Sequence, residues 1–408
     1  MAPFTSFVFA AVYLASVSFA VPSPVVIDQP ISASFTKSIN RANLKGLLAR
    51  DQARAQALVR KSSKTPFSSD AVISVPATNE AVSYLASVQV GSPATTFNLI
   101  IDTGSSNTWV GAGTAFRSTS TSTDTGHRVA VTYGSGSFSG EEFTDRVALG
   151  SSLVIPSQSI GVARTSTGFD GVDGILGIGP VSLTSGTVQG VSTVPTVTDN
   201  LFRQGAITSN LVAVSFQPTN SLEITNGELT FGGTDSSKFS GSITFAPITG
   251  TSPASEFWGI NQSITFGSTS ILSSTAGIVD TGTTLVLIAS NAFSRYRSAS
   301  GGVLDRNTGL IRWTQAQFNA LQPLNFVIAG RTFSLTANAQ LWPRALNTAI
   351  GGTASNFYGI VNDLGTNSGE GLDFINGQTF LERFYTVYDT ANRRVGFATT
   401  PFTNSTSN

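Results

Sequence analysis

Apolar residues come in short runs along most of this chain, and the spacing within them reads as strand more often than as helix. Ser83 to Val90 alternates apolar and polar side chains, Gly91-Ser92-Pro93 interrupts it, and Thr96 to Ile101 resumes an apolar run. Two half-buried strands joined by a turn produce that pattern. Val129-Ala130-Val131-Thr132-Tyr133-Gly134-Ser135-Gly136-Ser137-Phe138-Ser139-Gly140 reads as two strands around a Gly/Ser turn, a hairpin with a mobile tip. Ile175-Leu176-Gly177 and Phe374-Ile375-Asn376-Gly377 are shorter apolar runs closed by glycine. One stretch breaks this rhythm. From Asn43 to Val59 the residues are mostly Ala, Leu, Arg and Gln, good helix formers, with Leu44, Leu47 and Leu48 on one face. The pattern predicts an all-β body preceded by a partly helical segment.

Composition sharpens the picture. At 408 residues the chain is too long for one ordinary core and fits two packed lobes. Gly (40) and Phe (28) are abundant and charged residues make up only 11%, the look of a secreted β protein. The formal net charge of +0 gives no nucleic-acid signature. The absence of Cys removes disulfides, thiol nucleophiles and Cys-based metal sites together. His127 is the only histidine, which excludes an H-E-x-x-H zinc site, and no G-x-S-x-G elbow occurs. His127 itself reads as an exposed loop residue.

Charge is unevenly placed. Residues 1–20 are uncharged, mostly apolar, and end Ser18-Phe19-Ala20, which reads as a signal peptide and so predicts a secreted, extracellular product. Residues 21–70 then carry eight bases against three acids, in a chain holding 23 of each, so the remainder is acidic. A basic, partly helical leader before an acidic β body reads as a pro-segment docked by opposite charge. A disordered basic linker is the plainer alternative. The mature chain is expected to start near Ala71. Gly241, Pro247 and Gly250 place the lobe boundary near residue 245, giving lobes of 71–245 and 246–408.

Leu99-Ile100-Ile101-Asp102-Thr103-Gly104-Ser105 ends an apolar run in an acid and a turn, and Gly277-Ile278-Val279-Asp280-Thr281-Gly282-Thr283-Thr284 repeats it. One such turn is ordinary chemistry after a buried strand. Two in one chain point to two half-structures, each presenting a carboxylate. Two carboxylates about 3 Å apart cannot both ionise and share one proton in acid. With no Cys, one His and no serine elbow, any hydrolytic chemistry here would have to use carboxylates and water.

These turns and their surroundings, from about Ser74 to Phe397, resemble the pepsin-like aspartic proteases. The resemblance implies a bilobal, all-β acid-protease fold with an active-site cleft between two pseudo-twofold-related lobes. It makes Asp102 and Asp280 the catalytic pair, Thr103 and Thr281 the interlocking threonines, and Ser105 and Thr283 the hydroxyls on the outer carboxylate oxygens. Gly104 and Gly282 allow close backbone approach. Tyr133, Gly134 and Ser135 correspond to the active-site flap, Trp109 to the residue that hydrogen-bonds its tyrosine, and Phe169 and Ile175 to pocket positions. Phe380 to Asp389 and Arg394 to Ala398 match the family's C-terminal pattern. Two features depart from it: Asn376 interrupts the apolar-apolar-Gly run, and Gln378 stands where an acid is common. The leader does not match the animal zymogens closely, which leaves open which lysine, if any, reaches the pair.

The reading implied is an aspartic endopeptidase made as a zymogen and acting on proteins and peptides in acid, preferably between apolar residues. It would be inhibited by its own pro-segment, with no metal, cofactor, nucleic-acid or membrane partner, and a monomer is expected. A silent homologue that only binds proteins would usually lack an aspartate or the flap tyrosine, and all three are present. A structural cell-wall protein would suit the Ser/Thr richness but not the repeated turn. Asn261 and Asn404 begin N-glycosylation sequons.

Overall fold

The structure is a computed structural model that describes residues 30–39, 44–62, 82–134, 136–150, 153–221 and 223–407. The signal-like stretch, the expected start near Ala71, and Ser135 lie outside the described residues.

Alternation along the sequence becomes a sheet of thirteen strands, eight of them from the first half of the chain. These are β1 (Ile31–Ile39), β2 (Val82–Val90), β3 (Thr95–Asp102), β4 (Trp109–Val110), β5 (Thr123–Thr132), β6 (Ser137–Ala148), β7 (Val154–Thr167) and β8 (Gly174–Gly177). β2 and β3 form the expected antiparallel pair, and β3 runs parallel to β8 with Asp102 level with Gly177. A second sheet of seven strands repeats this arrangement. There Thr269–Val279 runs parallel to Phe374–Asn376 with Val279 level with Asn376, and Asp280 follows at once. Each Asp-Thr-Gly turn therefore leaves a buried strand flanked by a short parallel one. The C-terminal strands Phe384–Asp389 and Arg394–Thr399 join the larger sheet beside Leu211–Ser215 and Ser240–Pro247.

The basic segment is built into this body. β1 lies between Glu223–Phe231 and β2, antiparallel to both. Its Lys37 is buried and hydrogen-bonds Glu382, which also accepts from the Tyr84 hydroxyl at 2.6 Å. Helix α1 covers Leu47–Ser62. It starts later than the sequence pattern predicts, because Gly46 turns the chain at φ +80° and leaves Leu44 ahead of the helix. Leu44 and Leu47 are buried and Leu48 is half-buried. The buried face of α1 runs Leu47, Arg50, Asp51, Arg54, Ala55, Leu58, a helical stripe with three charges set into it. Charges in such places require partners.

His127 is a half-buried strand residue rather than an exposed loop residue. An irregularity in the β5–β6 register between Asp124 and His127 accompanies this, and the imidazole lies against Gly190. Among the described residues no helix is long and apolar enough to cross a membrane.

Candidate active site

The two turns interlock. Thr103 N–H donates to Thr281 Oγ1 at 3.0 Å and Thr281 N–H donates to Thr103 Oγ1 at 2.9 Å. Each hydroxyl in turn donates across to the opposite strand, Thr103 to the Val279 carbonyl at 3.2 Å and Thr281 to the Ile101 carbonyl at 2.8 Å. The carboxylates are held alike. Ser105 Oγ donates to Asp102 Oδ2 at 2.5 Å and Thr283 Oγ1 to Asp280 Oδ2 at 2.6 Å. Gly104 N–H meets Asp102 Oδ1 at 2.8 Å and Gly282 N–H meets Asp280 Oδ1 at 3.1 Å. A Cβ on Gly104 would stand 2.7 Å from Asp280 Oδ1, and one on Gly282 2.8 Å from Asp102 Oδ1. Each glycine therefore faces the other turn's carboxylate at a distance no side chain tolerates. The six turn residues and both aspartates converge on one buried point.

A cation occupies that point. Arg54 of α1 donates through Nη2 to Asp102 Oδ1 at 2.6 Å and to Asp280 Oδ1 at 2.9 Å, and through Nε to Asp280 Oδ2 at 2.7 Å. Burial pushes the Asp280 carboxyl upward. The charge and hydrogen bonds of Arg54, helped by Thr283 and Gly282, outweigh it and hold the group below the usual carboxylate range. One turn earlier on the helix, Asp51 accepts from the backbone N–H groups of Leu285 at 2.7 Å and Thr284 at 3.3 Å. Burial raises its carboxyl to about 6, although those two N–H groups and the charges of Arg50 and Arg54 pull it down. Gln52 Nε2 donates to the Asp363 carbonyl at 2.9 Å.

The expected flap is the hairpin of β5 and β6, closed where Tyr133 N–H donates to the Gly136 carbonyl at 2.7 Å. It lies directly on α1, since a Cβ on Gly134 would fall 2.0 Å from Arg54 Cα. Tyr133, Trp109, Phe169 and Ile175 share one buried cluster. Phe169 meets Tyr133 edge-on at 5.5 Å and Trp109 edge-on at 4.8 Å, while Trp109 stacks on Phe138 at 4.2 Å. The Trp109 indole is near enough to act on the Tyr133 hydroxyl as a hydrogen-bond donor. The indole N–H and the hydroxyl are both buried. Burial raises the Tyr133 hydroxyl pKa, with the Asp102 charge adding to it and the nearby Trp109, Ser105 and Arg54 opposing it.

Arg54 and Asp51 escape a reading of the sequence that looks only at total charge. The signal was their position, i+7 and i+4 from Leu47 on the stripe that Leu47 and Leu58 define. Asn261 and Asn404 are exposed. Among the described residues no group of three or more His, Asp or Glu could hold a metal ion.

A family model for eukaryotic aspartyl proteases matches residues 83–400. Polyporopepsin of Irpex lacteus is 68% identical over 338 residues, spanning 82% of this chain and 99% of that protein. Gastricsin of Cavia porcellus is 32% identical over 336 residues, 78% of this chain and 80% of its own. The crystal structure of an aspartic proteinase from Irpex lacteus superposes with a TM-score of 0.80 at 59% identity, covering 93% of this chain and all (100%) of that one.

Proposed function

The chain is a pepsin-like aspartic endopeptidase, a member of the eukaryotic aspartyl protease family, and from that premise we propose that Asp102 and Asp280 are its catalytic dyad, silenced by Arg54 of a removable segment. The observation that carries this reading is the guanidinium hydrogen-bonded to both carboxylates. A fork of charged donors fits a pair of carboxylates, and no water or peptide carbonyl can stand in the same place.

With the segment gone, the pair would share one proton in acid. The ionised partner takes a proton from a water held between them, and the water oxygen attacks the scissile carbonyl carbon. The protonated partner gives its proton to the carbonyl oxygen. Breakdown of the tetrahedral intermediate returns a proton to the leaving amine and breaks the C–N bond. The titration belongs to the pair, so neither aspartate is permanently the base. Ser105, Thr283 and the two glycine N–H groups hold the outer and inner oxygens, so little reorganisation is needed. The Tyr133 hairpin would close on an extended peptide where it now closes on α1, with Phe169 and Ile175 favouring large apolar side chains.

We read residues 1–20 as a signal peptide and the product as secreted, with Asn261 and Asn404 as glycosylation sites, a reading their exposure supports. Digestion of haemoglobin or casein at acid pH, with and without a statine-type inhibitor, tests the function. Acid proteolysis blocked by the inhibitor is expected. No digestion after removal of the segment would favour the silent binding homologue, and inhibitor-resistant digestion would point to other catalytic groups.

A further inference from the structure

The two catalytic turns are near copies, but what lies behind them differs. Behind Asp102 the neighbouring strand supplies Leu176, level with Ile101, and then Ile178 beyond Gly177. Behind Asp280 the corresponding residues are Asn376, level with Val279, and Gln378 beyond Gly377. Two apolar places have become amides, and both are buried.

Both amides are used. Asn376 and Gln262 exchange side-chain hydrogen bonds, Asn376 Nδ2 to Gln262 Oε1 at 2.8 Å and Gln262 Nε2 to Asn376 Oδ1 at 3.1 Å. The backbone carbonyl of Asn376 accepts from Asp280 N–H at 3.1 Å. Gln378 is fixed through its own N–H, which donates to the Thr283 carbonyl at 2.7 Å, and its Nε2 donates to the Thr281 carbonyl at 2.8 Å. That carbonyl belongs to the same peptide unit as Gly282 N–H, the group that donates to Asp280 Oδ1. A peptide unit is planar, so a donor that fixes its C=O also fixes where its N–H points. In the first lobe Ile178 has no group that can do this.

We propose that Gln378 is a positioning residue for catalysis, which aims the Gly282 N–H at Asp280 through the Thr281 carbonyl, with Asn376 and Gln262 bracing the strand behind it. This rests on the reading of Asp280 as catalytic. An amide donates at every pH. A carboxylic acid in its place would donate only while protonated, and once ionised would set negative charge against the Thr281 carbonyl.

The test compares kcat, KM and pH profile of the activated enzyme for the wild type, Gln378→Glu and Gln378→Leu, with Asp280→Asn as control. Gln378→Leu should lower kcat about tenfold across the acid range with little change in KM, the pattern for a group that acts on the transition state. Gln378→Glu should stay within about twofold of wild-type kcat near pH 3 and fall further behind as the pH rises and its buried carboxyl ionises. A ratio of Gln378→Glu to wild-type kcat that is flat with pH would overturn the proposal, even if Gln378→Leu failed to fold. So would a folded Gln378→Leu with wild-type kcat. If Asp280→Asn itself remained active, the dyad reading would fall instead, and the two failures are thereby told apart.

Discussion

Arg54 and Asp280 are joined by two hydrogen bonds, Nε to Oδ2 at 2.7 Å and Nη2 to Oδ1 at 2.9 Å, with the same Nη2 reaching Asp102 at 2.6 Å. The planar fork matters as much as the charge, since an ammonium's three donors radiate from one nitrogen and cannot form the two parallel bonds that Nε and Nη2 make to Asp280. Docking depresses the Asp280 carboxyl. The stability this pair gives the docked state is therefore present above the ordinary carboxylate pKa and lost as the pH falls through the depressed value. The purified proenzyme should stay intact near neutrality and convert itself in acid. Arg54→Gln should raise the pH of half-conversion by about one unit or more. Mass spectrometry of both proteins across a pH series checks this, and an unchanged conversion pH would remove Arg54 from the silencing mechanism.

Asp51 works in the opposite direction. Its carboxyl, raised by burial to about 6 while docked, binds a proton more tightly than it would in a released segment. Its contribution to docking is full below the ordinary value of about 3.8 and lost as the pH rises through about 6. Asp51→Asn keeps an oxygen for the Leu285 N–H, gives up the longer bond to Thr284, and has no ionisation to suppress. The variant proenzyme should be the more stable one near pH 7.5, by up to about 3 kcal/mol, with the gap narrowing toward pH 5. Urea unfolding at several pH values measures the gap. A constant gap would contradict the assignment.

Lys37 and Glu382 form a buried ion pair between β1, part of the proposed pro-segment, and the body, and Tyr84 completes it. Removing one partner of such a pair costs about 3 kcal/mol, because the other is left buried and uncompensated. Glu382→Gln should destabilise the proenzyme by that order. In the mature enzyme, where Lys37 has left with its strand, the same change should stabilise at neutral pH. Thermal melts of both forms decide it, and shifts of the same sign in both would refute the account of this pair.

We propose that specificity turns on Ser135, which follows Tyr133-Gly134 in the sequence. A serine can hydrogen-bond a substrate but cannot neutralise a lysine brought into a pocket near Phe169 and Ile175. Cleavage is expected beside Leu, Phe, Tyr or Met, with weak trypsinogen activation and improved lysine acceptance in Ser135→Asp. Profiling both proteins on a peptide library with varied acyl-side residues checks it. Efficient wild-type cleavage after lysine would show that another acid reaches the pocket.

How much of this was legible in the chain depended on how local each feature is. Asp102 and Asp280 sit in turns whose hydroxyls and glycines lie within three residues of each carboxylate, so the repeat could be read directly. The β5–β6 hairpin announced itself by alternation around a Gly/Ser turn. Arg54 did not, because eight bases share the leader and only the seat of α1 in the cleft selects one. Its place between Leu47 and Leu58 on the buried stripe was the available clue. Asn376 and Gln378 were visible as departures, but Gln262 lies more than a hundred residues away, and only folding brings it to Asn376. The helix start shifted for a local reason, Gly46 at positive φ.

The most direct measurement is acid proteolysis by Asp102→Asn and Asp280→Asn, each prepared with its segment removed and checked for an unchanged fold by circular dichroism. Each substitution takes away half of a pair that must share one proton. Both variants should be inactive against casein at acid pH while melting like the wild type. If either retained even about a tenth of wild-type turnover, a shared-proton dyad could not be the source of the activity.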